Sequence, residues 1–287
     1  MTLTDTRAAL AQLRLRPSRV LGQNFLVDQN IARLVVKAAE LRATDTVLEI
    51  GPGLGALTEM LLERAGRVVA VEKDTRLAAF LRERFGHRET LQLVHGDALH
   101  FDFAAAMPSS FKVVANLPYA ISTPLLMRMV ESPARPRRMV LTVQREVADR
   151  LTAQPRTKDY SALTLFTQLH YEARREHLVS RSCFLPMPTV GSAVVVLRLA
   201  PHPLLEPALE CPFKQMVRAA FQHRRKMLRG VLPKSGLGGW MQPDKLEAAL
   251  ERLGTPRTAR AEELSLAQWL LLTRELVLPA TARPPSN

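Results

Sequence analysis

Thr46-Val47-Leu48-Glu49-Ile50 runs directly into Gly51-Pro52-Gly53-Leu54-Gly55-Ala56-Leu57-Thr58, and no other stretch of the 287 residues narrows the fold as far. The first five residues read as a buried strand. The glycines let the backbone turn tightly and approach a ligand closely. A helix follows to about residue 65. Strand, glycine loop and helix in this order open a nucleotide-binding α/β unit. A second strand, Arg67-Val68-Val69-Ala70-Val71, ends in Glu72. That carboxylate lies about twenty residues beyond the loop, where doubly wound folds hold ribose hydroxyls.

The alternation continues. Helices are expected over 29–42, 75–85, 121–131, 145–152 and 160–169, and strands over 91–95, 111–115 and 138–143. Residues 173–180 and 192–199 read as antiparallel strands. Asp28 stands where it caps the 29–42 helix, and a short helix over 6–13 breaks at Pro17. The expected fold class is α/β: a doubly wound, mostly parallel sheet with helices on both faces. Pro201-His202-Pro203-Leu204-Leu205-Glu206-Pro207 reads as a linker. Beyond it come helices over 212–229, 243–253 and 265–277, then a tail from Pro279 that reads as disordered. The chain thus divides into a larger α/β domain, 1–200, and a smaller all-helical domain, 201–287.

Forty Lys and Arg against 27 Asp and Glu leave a formal net charge of +13. Such an excess points to a polyanionic partner or an anionic membrane surface. No stretch approaches about twenty continuous apolar residues, so no membrane span is expected. The start, Met1-Thr2-Leu3-Thr4-Asp5, lacks the pattern of a secretory signal. Cys183 and Cys211 form no CxxC pair, and a reducing cytoplasm is the expected setting. The seven histidines lack metal-ligand spacing, so no metal site is expected. A monomer is the default expectation.

Four polar groups fall at the C-terminal ends of expected strands: Glu49, Glu72, Asp97 in Gly96-Asp97-Ala98, and Asn116. Open α/β sheets bind ligands at that edge. Four placements there outweigh the reading of each as a solvated loop residue. Asn116 opens the turn Asn116-Leu117-Pro118-Tyr119. Its side-chain carbonyl and a nearby backbone carbonyl can both accept hydrogen bonds from an exocyclic amino group. Pro118 fixes its own φ and pushes Leu117 toward an extended conformation. Tyr119 offers a face on which a planar base can stack. Such a site suits an enzyme that modifies the amino nitrogen of adenine. Read alone, the four residues also describe a strand that stops at a turn.

The glycine loop by itself leaves the cofactor open, because Gly51-x-Gly53-x-x-Ala56 also satisfies the dinucleotide fingerprint. Pro52 removes a backbone N–H that a pyrophosphate would use. Glu49 stands where it can receive an ammonium group. Asp97 and Asn116 have roles with an adenosine and an amino group but none in hydride transfer. S-adenosylmethionine has no phosphate, carries an ammonium group and presents both ribose hydroxyls and an adenine amino group, so it is the favoured cofactor.

With these motifs assembled, the sequence resembles the KsgA-type small-subunit ribosomal RNA adenine N6-dimethyltransferases along nearly its whole length. The resemblance rests on Leu21-Gly22-Gln23-Asn24-Phe25-Leu26, the 49–58 loop, Val71-Glu72, Gly96-Asp97-Ala98, and Asn116 through Pro124. It continues in Phe184-Leu185-Pro186-Met187-Pro188-Thr189-Val190-Gly191-Ser192-Ala193-Val194 and in Phe221-Gln222-His223-Arg224-Arg225-Lys226-Met227-Leu228-Arg229. It implies the S-adenosylmethionine-dependent methyltransferase fold. It implies a cofactor pocket of Gln23, Asn24, Leu26, Glu49, Gly51, Gly53, Glu72, Lys73, Asp97, Ala98 and Asn116. It implies that Asn116, Leu117, Pro118 and Tyr119 hold the target adenine, with Phe184 stacking on its other face. Thr189 departs from the Lys that many members carry, which removes one phosphate contact.

The implied reaction gives N6,N6-dimethyladenosine at two adjacent adenosines near the 3′ end of small-subunit RNA, in an immature 30S particle. Positioning is the enzyme's main task, and no general base is assigned. Arg224, Arg225, Lys226 and Arg229, clustered on one expected helix, are the principal RNA-binding candidates. Arg14, Arg16, Arg19, Arg135, Arg137 and Arg138 are further ones. Rival readings are a large-subunit ribosomal RNA methyltransferase of the macrolide-resistance type, a DNA adenine methyltransferase, and a non-catalytic assembly factor.

Overall fold

The computed structural model describes residues 1–18 and 22–278. Arg19, Leu21 and the tail from Pro279 lie outside the described residues. The strands in chain order are β1 (Phe25–Leu26), β2 (Thr46–Ile50), β3 (Arg67–Glu72), β4 (Leu91–His95), β5 (Lys112–Asn116), β6 (Arg138–Gln144), β7 (Tyr171–Val179), β8 (Phe184–Leu185) and β9 (Ser192–Leu199). Seven of them form one sheet in the order β4-β3-β2-β5-β6-β9-β7. Neighbours from β4 to β6 run parallel and β9 runs antiparallel to β6. Val47, Leu48, Val68, Val69, Val113 and Val114 are all solvent-free. Both sheet faces are covered there, so these strands read as unbroken apolar runs instead of alternating ones.

The chain passes from β2 to β3 and β4 on one side, then returns to place β5 and β6 on the other. The order therefore reverses between β2 and β5, and the crevice beyond their carboxyl ends is where such sheets bind ligands. Helix 29–38 packs one face through Val35 and Val36, in a cluster with Val47, Leu61, Val68 and Val114. Asp28 caps it, accepting from the N–H groups of Asn30 and Ile31. Apart from the main sheet, β1 and β8 pair antiparallel, with Phe25 opposite Leu185 and Leu26 opposite Phe184.

The opposite edge is closed by charge. Lys112 is buried at the start of β5, 2.9 Å from Asp45, and its ammonium donates to the Ala39 and Glu40 carbonyls. Arg137 also binds Asp45, Arg138 binds Glu40, and the Arg135 guanidinium donates to the Val130 carbonyl at 3.2 Å. Arg135, Arg137 and Arg138, expected as further phosphate contacts, thus each make an internal ion pair or hydrogen bond.

The chain divides into two compact units that part next to residue 200, with a second exchange of chain at 150–171. The first comprises Met1–Asp149 and Glu172–Leu199; the second comprises Arg150–Tyr171 and Ala200–Asn287. Residues 150–171, expected in the α/β domain, belong with the C-terminal helices. The reason lies in helix 162–170, where Leu163, Leu165, Phe166 and Leu169 are all buried. Phe166 meets Phe213, and Tyr160 and Trp269 both meet Phe221, with ring centroids 6.2–6.4 Å apart.

One further helix departs from expectation. It runs over 207–222, with Pro207 in its first turn, and stops short of the basic motif. Residues 223–227 form a turn, and Arg229 sits on a separate short helix over 228–231. The basic residues do not share one helix.

Candidate active site

The carboxyl ends of β2, β3 and β5 and the β1 segment enclose a single cleft. Gln23, Asn24, Leu26, Glu49, Gly51, Gly53, Glu72, Lys73, Asp97, Ala98, Asn116, Leu117, Pro118 and Tyr119 all line it. Met1 and, in the N-terminal helix 3–12, Thr6 line it too. Sequence reasoning missed them, because nothing local to these residues reveals which distant loop they will meet.

Glu72 organises the floor. Its carboxylate accepts from the Gly53 N–H at 3.0 Å and the Asp74 N–H at 2.9 Å, tying the glycine loop to the end of β3. Gly53 has φ +60°, and a Cβ there would stand 3.1 Å from the Phe25 ring. Each Glu72 oxygen keeps a lone pair for a further donor. Burial pushes its carboxyl above the ordinary range against these two N–H groups. Asp97 accepts from the Leu99 N–H and from the Lys73 ammonium at 2.7 Å. The Lys73 bond holds its carboxyl below the ordinary range.

Glu49 is the deepest acid, 1% exposed. Burial, with the neighbouring Glu72 charge adding to it, pushes its carboxyl up to about 8. One of its oxygens is buried without a hydrogen-bond partner among the described residues. A neutral acid so placed becomes a favourable carboxylate once a cation sits beside it.

Asn116 is the last residue of β5. Its Nδ2 donates to the Asn24 carbonyl at 2.9 Å, which fixes the amide's orientation. Its Oδ1 is buried with no donor among the described residues. Next along the turn, the Tyr119 hydroxyl lies 2.5 Å from the Ser192 hydroxyl at the start of β9, a buried group 1% exposed. Sequence reasoning did not single out Ser192, although it lies inside a quoted motif. Nothing local pairs it with a tyrosine 73 residues away.

Phe184 is the exception. It is 3% exposed, packs in the core with Leu26, Val35 and Cys183, and does not line the cleft. In the β1–β8 pairing Phe184 stands opposite Leu26 and shares its core cluster. Among the basic candidates, Arg224 is bound within the protein. Its Nε donates to Glu262, Nη1 to the Lys158 carbonyl at 2.5 Å and Nη2 to the Thr157 carbonyl at 2.8 Å.

The sheet order and the crevice beyond β2 and β5 define an S-adenosylmethionine-dependent methyltransferase fold. The family model for ribosomal RNA adenine dimethylase matches residues 15–277. Ribosomal RNA small subunit methyltransferase A of Geobacter metallireducens is 41% identical, over 92% of this chain and 96% of its own. A dimethyladenosine transferase crystal structure from Plasmodium falciparum is 27% identical with a TM-score of 0.75, covering 86% of this chain and 95% of that one. The 23S rRNA methyltransferase ErmE is 32% identical with a TM-score of 0.69, covering 88% and 99%. The chain belongs to the ribosomal RNA adenine dimethylase family.

Proposed function

We propose that this protein methylates N6 of two adjacent adenosines near the 3′ end of small-subunit ribosomal RNA, giving N6,N6-dimethyladenosine. The substrate on this reading is an immature small subunit in the cytoplasm. The observation that carries the proposal is the Asn116 amide. Its nitrogen is pinned by Asn24, so its buried oxygen is left as an acceptor at the end of β5. An exocyclic amino group supplies the donor that this acceptor lacks, and a buried acceptor without a donor costs about 1–3 kcal/mol.

The cleft's donor set fits S-adenosylmethionine. Glu49 would receive an ammonium group, Glu72 ribose hydroxyls, and Asp97 the amino group of the cofactor's adenine. When bound, the cofactor supplies a methyl group on a positively charged sulfur. The protein's own task is then to orient the acceptor nitrogen. Asn116 Oδ1 and the backbone after it draw on the amino hydrogens and favour a pyramidal nitrogen with an exposed lone pair. Tyr119, anchored through Ser192, supplies a stacking face that offsets the cost of unstacking the target base. Phe184, which the family resemblance places on the base's other face, is buried in the core cluster with Leu26.

Asn116→Ala should lower kcat roughly 10²–10³-fold, as for other single positioned polar groups. S-adenosylmethionine affinity, measured by calorimetry, should change far less; equal losses in both would remove the assigned role. The direct test is transfer of labelled methyl groups to small and large subunits from cells lacking the enzyme, followed by nucleoside analysis. N6,N6-dimethyladenosine confined to small subunits is the expected result. Label in large-subunit RNA would move the assignment to the reading that the likeness to ErmE favours.

A further inference from the structure

The unit formed by residues 150–171 and 200–278 carries a second depression, open to solvent and about 770 Å³ in volume. Arg156, Lys158, Arg225 and Lys226 line it, and all four are exposed. They come from two separate segments, the 156–158 loop and the turn after helix 207–222. Both segments are fastened to the stretch around residue 262. The Arg156 N–H donates to the Glu262 carbonyl at 2.7 Å, and the Leu228 N–H donates to the Ala259 carbonyl at 2.9 Å. Arg224 joins the two directly. Its planar fork spends one edge on the Glu262 carboxylate and the rest on the Lys158 and Thr157 carbonyls. A guanidinium so engaged has little left for a ligand.

Arg156 adds an independent signal. It sits at φ +68°, in the left-handed region, where glycine or asparagine would be the easy choice. At the cost of that conformation, the loop sets a long cationic side chain in the lining of the depression.

Building on the RNA substrate proposed above, we propose that Arg224 and Glu262 form a strut and that Arg224 is not itself an RNA contact. The strut holds the 156–158 loop beside the 223–226 turn, so that Arg156, Lys158, Arg225 and Lys226 converge on phosphates of the ribosomal RNA backbone. Arg156 and Lys158 thereby join the binding surface, and Arg224 leaves it as a positioning residue.

Charge and geometry predict opposite signs, which makes the test decisive. The affinity of the full-length protein for small subunits from cells lacking the enzyme would be measured across a potassium chloride series. A cooperative thermal melt and unchanged resistance to limited proteolysis within 150–171 and 200–278 would confirm that this unit is folded in each variant. Arg225→Ala, Lys226→Ala and Lys158→Ala should each flatten the plot of log affinity against log salt by about one. Lys158→Ala keeps the backbone carbonyl that Arg224 uses. Arg156→Gly should flatten it equally while leaving the melting temperature unchanged or higher, a pattern that a purely structural arginine would not produce. Arg224→Lys keeps the charge and Glu262→Ala raises the net charge by one. Both should nevertheless weaken binding, roughly tenfold, and flatten the slope by about two as the loop's contacts are lost.

Tighter, steeper binding by Glu262→Ala would overturn the strut and make Arg224 the phosphate contact. Unchanged binding by Arg224→Lys and Glu262→Ala would overturn it as well. A wild-type protein that neither binds nor methylates small subunits would remove the functional reading and this inference with it. A wild type that binds and methylates while Glu262→Ala matches it removes the strut alone.

Discussion

Ser192 and Tyr119 share a short hydroxyl contact that holds the tyrosine ring at the mouth of the cleft. Ser192→Ala should therefore lower kcat about two- to tenfold, the worth of one net hydrogen bond, with cofactor affinity unchanged. Tyr119→Phe should match it, and the double variant should lose little more, since the two changes remove the same bond. Additive losses would show that the hydroxyls act separately. Glu49 sets a different expectation. Its carboxyl stands at about 8 in the folded protein against 4.5 as the ordinary value. Between those pH values the native state holds a proton that the unfolded chain releases. Stability from this group is complete below pH 4.5 and is lost as pH rises through 8. At about 1.4 kcal/mol per decade of proton affinity, the loss reaches several kcal/mol. Glu49→Gln should flatten the melting curve's dependence on pH over this window. A wild-type profile identical to that of the variant would contradict the burial argument.

Two elements depend on small steric facts. Gly55 has φ +84°, and a Cβ there would stand 2.5 Å from the Phe85 ring and 3.2 Å from Leu81. This third glycine serves the docking of helix 75–85, in contrast to Gly51 and Gly53, which line the cleft. Gly55→Ala should cost about 2–4 kcal/mol in denaturant unfolding, from overpacking and left-handed strain together. The turn after Gln222 is the other case. By sequence pattern alone, helix continues through Arg229. In the fold, Arg224 is drawn to carbonyls some 66 residues away, and the chain leaves the helix to reach them.

For the whole molecule, the division of the chain carries the main consequence. Residues 1–200 expressed alone would include helix 162–170 without Phe213, which covers Phe166. That polypeptide should aggregate or melt well below the full protein. A variant with 150–171 replaced by a glycine-serine linker and ending at residue 200 should remain soluble and bind S-adenosylmethionine. Equal solubility and melting of the two would argue against the assignment of 150–171 to the helical unit. The net charge of +13 acts at the same scale. Part of it is spent inside the fold, on Lys112, Arg137, Arg138 and Arg224, so the charge available to a polyanion is smaller than the composition suggests.

Local pattern carried the parallel strands, the glycine loop, and the polar residues Glu49, Glu72, Asp97 and Asn116 at their strand ends. Each follows from a few neighbouring residues: a short apolar run, a turn that only glycine makes easily, a polar side chain where the strand stops. The sheet edge then gathers those ends into one cleft with no further information. The tertiary structure decided what depends on partners remote in the chain. It turned Phe184 into the core through its pairing with Leu26, and it joined Ser192 to Tyr119. It also spent Arg224 on the 156–158 loop and moved helix 162–170 into the C-terminal unit. In each of these the side chain's own type and spacing allow either role. The choice falls to a neighbour that only the folded chain brings within reach.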